Sequence, residues 1–400
     1  MDYVELAVPF FLIALMVEAI YGKLINQNTY RLNDTISSLF MGSLRGASGI
    51  LKIGFSGYIY YQIETYFALW RMNSDLLITW IFAFIAYDFF YYWMHRIIHE
   101  RQIFWATHVA HQQSEEYNLS TALRQTGTGF LISWVFYIPL FLIGVPSYVM
   151  VSVASINLIY QFWVHTRHIP KLGWYEYIFV TPSNHRVHHA QNDLYIDRNY
   201  GGVFIIWDRI FKTFQEENED EECIYGIRGS IRTFDPIKAN LHIYSKIIKD
   251  ISYSLTFSNI IMVLTAKTGW SPDGDLQASS SKKFNKIEFK KHNPETSTFI
   301  KVYALVQFFC MSYAAVVLFP STIEYYQGLI LLLVVSFSMY CTANWLDAKK
   351  IIGLEYLRLV LIFVSAAYLY SISPQMLLFY VLSIYLIINI LLLPFLRRAI

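Results

Sequence analysis

A chain of 400 residues that is 55% hydrophobic, 18% aromatic and only 15% charged, with a mean hydropathy of +0.37, exceeds the apolar content of a soluble core and points to an all-α multi-pass membrane protein. Its net charge of +2 gives no reason to expect a nucleic-acid partner. Of three cysteines, Cys310 and Cys341 lie in apolar runs and Cys223 in an acidic loop, which makes neither a disulfide framework nor a thiolate metal site.

The N-terminal MDYVELAVPFF has two acids and no basic region ahead of its apolar run, so it reads as an uncleaved first span. Apolar runs near the roughly 20 residues needed to cross a bilayer cover residues 4–25, 50–70, 76–93, 129–144, 147–164, 299–319, 328–346, 356–372 and 375–396. These predict nine transmembrane helices, the fourth and fifth joined as a hairpin at Gly144-Val145-Pro146. In that layout Lys23, Arg31, Arg45, Lys52, Arg96, Arg101, Arg124, Lys349, Lys350, Arg358, Arg397 and Arg398 share one side, and the other carries only Arg71. The positive-inside rule then places the N-terminus outside, with the C-terminus and the histidine-rich site in the cytoplasm. The membrane would be the endoplasmic reticulum in a eukaryote and the cytoplasmic membrane in a bacterium. SPDGDLQASSSKKFNKIEFKK, residues 271–291, reads as a linker. The expected order is N-terminal helices over 1–75, a histidine-bearing domain over 76–255, a cytoplasmic linker over 256–298 and a four-span region over 299–400.

Nine of the eleven histidines lie between His95 and His189, an enrichment that points to metal binding. A hydrophobic helix runs into HRIIH, where His95 and His99 are i,i+4 neighbours, and HVAH follows with His108 and His111 at i,i+3. Each pair is expected to reach a common ion. FWVHTRH adds His165 and His168, and SNHRVHH adds His185, His188 and His189. One zinc takes three or four ligands, so this many imidazoles suggests two ions; iron, zinc, copper and nickel all suit imidazole. HRIIHE lacks the HExxH order of a zinc peptidase. Asp88, seven residues before His95 on the same helical face, is expected either to orient a ligand imidazole or to sit at the interface. Glu18 and Glu64 interrupt spans with no visible partner and are expected near the headgroups.

H-x3-H, H-x2-H-Q and H-x2-H-H at these separations resemble the histidine boxes of the membrane fatty acid hydroxylase and sterol desaturase superfamily, whose members use a diiron centre and dioxygen. SEEYNLSTALRQ from Ser114, QFWVHT from Gln161 and TPSNHRVHHAQNDLYIDRNYGGVFIIWDRIFKTF from Thr181 are closest to the alkylglycerol monooxygenase branch. The resemblance covers residues 87–214. It implies that His95, His99, His108, His111, His165, His185, His188 and His189 bind metal and that Glu100 is required for function. Two positions depart: Gln112 replaces the second histidine of H-x2-H-H, and Asn184 replaces a further histidine of the branch. An amide oxygen is a weaker iron ligand than imidazole. His168 would fill the gap if its helix continues beyond His165, whereas Pro170 argues that the helix ends first; Gln112 itself is the other candidate.

The activity implied is a monooxygenase acting on an ether lipid with iron, dioxygen and tetrahydrobiopterin, and no pterin-binding residue is identifiable. The alternatives are a fatty acid or sterol hydroxylase or desaturase fed by an electron-donor protein, and a non-catalytic membrane protein with a structural metal.

Overall fold

The computed structural model describes residues 3–47, 55–254, 256–270, 272, 284–318, 324–372 and 377–399; residues 271 and 273–283 of the expected linker lie outside them, and its first residues form a helix, Phe257–Thr265. Among the described residues the chain is helical without a strand, and isolated bridges at Arg101–Lys267, Phe179–Phe204 and Ala190–Tyr225 fasten its loops. The principal helices are α1 (Val4–Leu24), α2 (Leu32–Ala47), α3 (Leu77–Glu100), α4 (Ser147–Trp163), α5 (Pro182–His189), α6 (Thr298–Leu318), α7 (Tyr325–Leu346), α8 (Ile352–Ile372) and α9 (Leu377–Arg398).

Among the described residues, five helices are long and apolar enough to cross a membrane: α1, α3, α7, α8 and α9. The other apolar runs take different forms. Residues 129–144 break into 3-10 turns at Gly129–Leu131 and Ser133–Tyr137 and a short α-helix, Ile138–Ile143. The run at 50–70, described from residue 55 on, is an α-helix, Phe55–Gln62, that continues as a π-helix, Ile63–Phe67. α4 has 17 residues, and α6 forms over the sixth run with 21.

Two compact units emerge, one of residues 1–30, 54–230 and 241–290 and the other of 31–53, 231–240 and 291–400. This interleaves segments that the sequence suggested would follow one another, because α2 buries its apolar face with the C-terminal spans. In the second unit Ile36 and Phe40 of α2 share a core with Phe308, Leu331 and Ile362. Arg358 of α8 is buried there with its charge answered inside: it pairs with Glu355 and donates to Tyr303 (2.6 Å) and Gln307 (3.3 Å). A buried charge among apolar helices persists only when satisfied in this way.

In the first unit Ala83 of α3 packs with Leu140, Phe141, Val149 and Val153, and Phe11 of α1 stacks on Phe162 of α4 at 4.1 Å between centroids. Glu18 and Glu64 both find partners. Glu18 is buried and accepts from the Leu119 amide (2.8 Å), Thr166 Oγ1 (2.5 Å) and the Tyr30 hydroxyl, while Glu64 accepts from the Ser147 amide at the start of α4. The expected turn at Gly144 is present, with φ of 96°, and the Leu69 amide donates to the Leu142 carbonyl at 2.8 Å. The chain has thus returned to the level at which α3 starts, so α3 and α4 run the same way. Their C-terminal ends meet.

A Cβ at residue 144 would collide with the Trp70 carbonyl, in a backbone conformation that favours glycine. Gly144→Ala is therefore expected to lower stability by about 1–3 kcal/mol, read as an earlier thermal unfolding of the detergent-solubilised protein.

Candidate metal centre

The ends of α3 and α4 set the site. His95 and His99 occupy the last turns of α3. His108 caps a four-residue helix, Val109–Gln112, that carries His111. α4 ends at Trp163, leaving His165 just beyond it, and α5 brings His185, His188 and His189. α5 starts where its sequence dictates: Thr181 is the N-cap, Pro182 takes the first turn, and Asn184 completes a capping box. Asn184 thus has a structural role of its own.

The imidazoles form two groups of four, His95, His99, His108 and His188 in the first and His111, His165, His185 and His189 in the second. Within each group the ligand atoms all lie within 4.8 Å of one another. The groups adjoin, with ring centroids 5.2 Å apart for His108 and His111 and 5.3 Å for His188 and His189. The expectation that i,i+3 pairs share an ion is corrected: His108 and His111 separate, and so do His185 and His188. At about 100° per residue, i+4 lies 40° to one side of i and i+3 lies 60° to the other. The pairs that stay together, His95 with His99 and His185 with His189, are both i,i+4.

Buried imidazole nitrogens face one another across each group. His165 Nδ1 lies 2.8 Å from the Gln161 carbonyl and donates to it, so its Nε2 presents a lone pair 3.1 Å from Nε2 of His185. Two ligand bonds of about 2.1 Å at 90–110° put donor atoms roughly 3.0–3.4 Å apart, so this separation suits a shared cation. His95 Nε2, His108 Nε2 and His189 Nε2 are buried with no hydrogen-bond partner in the protein, which also fits metal ligation. Burial, with the neighbouring imidazoles second, pushes His108, His185 and His189 well below the ordinary histidine pKa; burial likewise dominates at His165 and His188. They are neutral at physiological pH, the form that ligates metal.

Backbone carbonyls aim the rings. Besides Gln161, the acceptors for Nδ1 are Tyr200 for His95 (2.9 Å), Arg124 for His111 (2.8 Å) and Arg198 for His188 (3.0 Å). Each turns Nε2 toward the centre, as second partners of metal-binding histidines do. Arg124 is buried and holds the short helix by donating to the Ala110 carbonyl at 2.7 Å. Tyr200 is fixed by Asp208, which accepts from the Tyr200 and Gly201 amides at 2.8 and 2.7 Å; burial raises the Asp208 pKa to about 6. The sequence held one signal for these supports, the NYGG and WDRIF strings within the stretch that resembles the family.

Asp88 reaches no histidine. Fully buried, it accepts from Asn157 Nδ2 (2.7 Å), the Val203 amide (2.8 Å), the Phe204 amide (3.0 Å) and Trp207 Nε1 (3.0 Å). It therefore acts on the imidazoles through the loop after Tyr200 and through α4. His168 does not join either group. Because α4 ends at Trp163, the helical face expected to carry His165 and His168 together does not exist, and His168 packs edge-on against Tyr21 of α1 at 5.3 Å. Glu100, the last residue of α3, pairs with Arg96 at 2.8 Å and is 37% exposed, outside both groups. Gln112 is buried at the first group, with Nε2 2.7 Å from His188 Nε2 and 3.5 Å from His99 Nε2.

Two adjoining, carboxylate-free clusters of neutral imidazole suit a pair of divalent first-row metals. The fatty acid hydroxylase family model matches residues 80–213, a stretch that contains all eight clustered histidines. Alkylglycerol monooxygenase of Homo sapiens is 40% identical over 315 residues, covering 78% of this chain and 69% of that protein. The chain belongs to the fatty acid hydroxylase family, in its alkylglycerol monooxygenase branch. Alkylglycerol monooxygenase of Danio rerio is 38% identical over 314 residues, 77% of this chain and 69% of that protein. Ornithine lipid hydroxylase of Rhizobium tropici is more distant, 26% identical over 167 residues, 40% of this chain and 48% of its own. No solved structure matches the chain.

Replacing Asp88 with alanine strands four donors, two of them in buried bonds that each cost about 1–3 kcal/mol when unmade. Asp88→Ala is expected to unfold at markedly lower temperature and to lose metal faster on dialysis. A variant that keeps both properties would show that the hub does not support the site.

Proposed function

We propose that the chain is a membrane-bound diiron monooxygenase that opens the ether bond of alkylglycerols. One atom of dioxygen would enter the C–H bond beside the ether oxygen. The other would leave as water, with two electrons and two protons from tetrahydrobiopterin. The resulting hemiacetal separates into a fatty aldehyde and a glycerol product. The observation that carries this reading is the pair of adjoining four-imidazole groups in a chain 40% identical to human alkylglycerol monooxygenase. The iron pair, when bound, supplies the reductive activation of dioxygen.

The chain's own residues do the rest. Eight imidazoles hold the ions, and the Gln161, Tyr200, Arg124 and Arg198 carbonyls keep four rings in the ligating tautomer. His95 and His99 end a membrane-length helix, so an alkyl chain lying among the spans can reach the centre while its glycerol end stays at the surface. Glu100 is the proposed functional carboxylate. Half-exposed beside Arg96, it suits contact with that polar end. The site and C-terminus are assigned to the cytoplasm and the N-terminus to the far side, as the lysine and arginine distribution favours. This assignment requires residues 50–70 to cross the membrane between α1 and α3.

The deciding experiment incubates purified protein with an alkylglycerol, tetrahydrobiopterin and oxygen. Aldehyde release and two irons per chain are expected. A hydroxylated fatty acid or sterol as product would favour the alternative enzyme, and one stable zinc with no turnover would point to a structural metal. His95→Ala, His111→Ala and His188→Ala each remove a ligand, a change expected to cost at least the ~100-fold that loss of a supporting partner can cost. Near-normal iron and activity in any one of them would remove that histidine from the ligand set. Tags after Ile400 and before Asp2 are expected on opposite faces; finding both on one face would overturn the topology.

A further inference from the structure

The two histidine groups are built from the same helical pairing, and this exposes an inequality between them. The second group has one i,i+4 pair, His185 with His189, together with His111 and His165. The first has the pair His95 and His99 together with His188 and His108, and His108 has an i,i+4 neighbour of its own. That neighbour is Gln112. It faces His99 and His188 of the first group from the short helix, while His111, one residue earlier and about 100° away, serves the other group.

Gln112 is 4% exposed. Its terminal amide lies 2.7 Å from His188 Nε2 and 3.5 Å from His99 Nε2. His188 donates its Nδ1 proton to the Arg198 carbonyl, so the nitrogen facing Gln112 carries a lone pair. The amide N–H donates to it. The amide oxygen and nitrogen have the same shape, and a half-turn of the amide exchanges them. The oxygen then sits at separations from both imidazoles that bracket the roughly 3.0–3.4 Å between neighbouring ligand atoms of one ion.

We propose that Gln112 is the fifth ligand of the first centre through its amide oxygen, so that the two centres are chemically unequal: four imidazoles and an oxygen in one, four imidazoles in the other. This rests on the two-metal reading above. A neutral amide oxygen is a harder, weaker donor than imidazole, so the first ion is held less firmly than an imidazole in that place would hold it.

The test loads the full-length protein in detergent with iron-57 under argon, counts iron after a timed chelator challenge, and records Mössbauer spectra. The unsubstituted protein is expected to hold two irons giving two distinct doublets of equal area. Gln112→Leu, similar in size and without a donor, leaves four imidazoles at each centre and is expected to shift one doublet selectively while the other stays unchanged, whereas Gln112→Glu, which keeps an oxygen, retains two distinct doublets. Should the leucine variant fail to fold, Gln112→Asn withdraws the oxygen by one methylene and is expected to show the same selective shift. Two irons with unchanged doublets in the leucine or asparagine variant would overturn the assignment of Gln112 while leaving the two-metal reading intact. Fewer than two irons in the unsubstituted protein would overturn both, and the failure would appear before any substitution is made.

Discussion

The site depends on a carboxylate that touches none of its ligands. Asp88 sits in an apolar membrane-length helix, and in such surroundings an ionised carboxyl persists only if donors surround it. Its four donors come from α4 and from the 203–207 segment. Gly202 makes the approach possible, since a Cβ there would lie 2.8 Å from Asp88 Oδ1 and from the Tyr91 ring. Two routes lead outward. Asn157 accepts from Gln161 Nε2 at 2.6 Å, and the Gln161 carbonyl aims His165. The bonded segment begins three residues after Tyr200, whose carbonyl aims His95. One ionic hub therefore fixes a ring in each group, which explains why a costly charge is kept inside a span.

The second constraint is burial of neutral imidazole. Buried nitrogens without partners, such as Nε2 of His95, His108 and His189, are costly. The sequence accepts this cost several times in one small volume. A cation would remove it, which would couple metal binding to the stability of this region. The carbonyl acceptors keep the rings from turning away to other partners.

Much of the site was legible because helical spacing is local. HRIIH and HRVHH announce their i,i+4 imidazole pairs without any knowledge of tertiary structure, and the apolar lengths announce α1, α3, α7, α8 and α9. What stayed hidden depended on distant partners. Asp88 meets residues up to 119 positions away, and Glu18 meets Thr166 across 148, so neither carboxylate showed its acceptors' role in sequence. The break of residues 129–144 into short turns follows from packing against the segment at Leu69, and the placement of α2 with the C-terminal spans is likewise a tertiary choice. The end of α4 at Trp163 was anticipated as one alternative through Pro170, and it decides the position of His168.

The spacing of the boxes also encodes how ligands divide between ions. A helix turns about 100° per residue, so in a box with members at i, i+3 and i+4 the outer two share a face and the middle one points elsewhere. α5 follows this rule with His185 and His189 on one group and His188 on the other, and the short helix follows it with His108 and Gln112 opposite His111. Each helix thereby lies between the two centres and donates to both. Ions held by shared short helices could not drift apart without unwinding those helices. A substitution at the last position of a box then alters one centre alone, because its face belongs to one group.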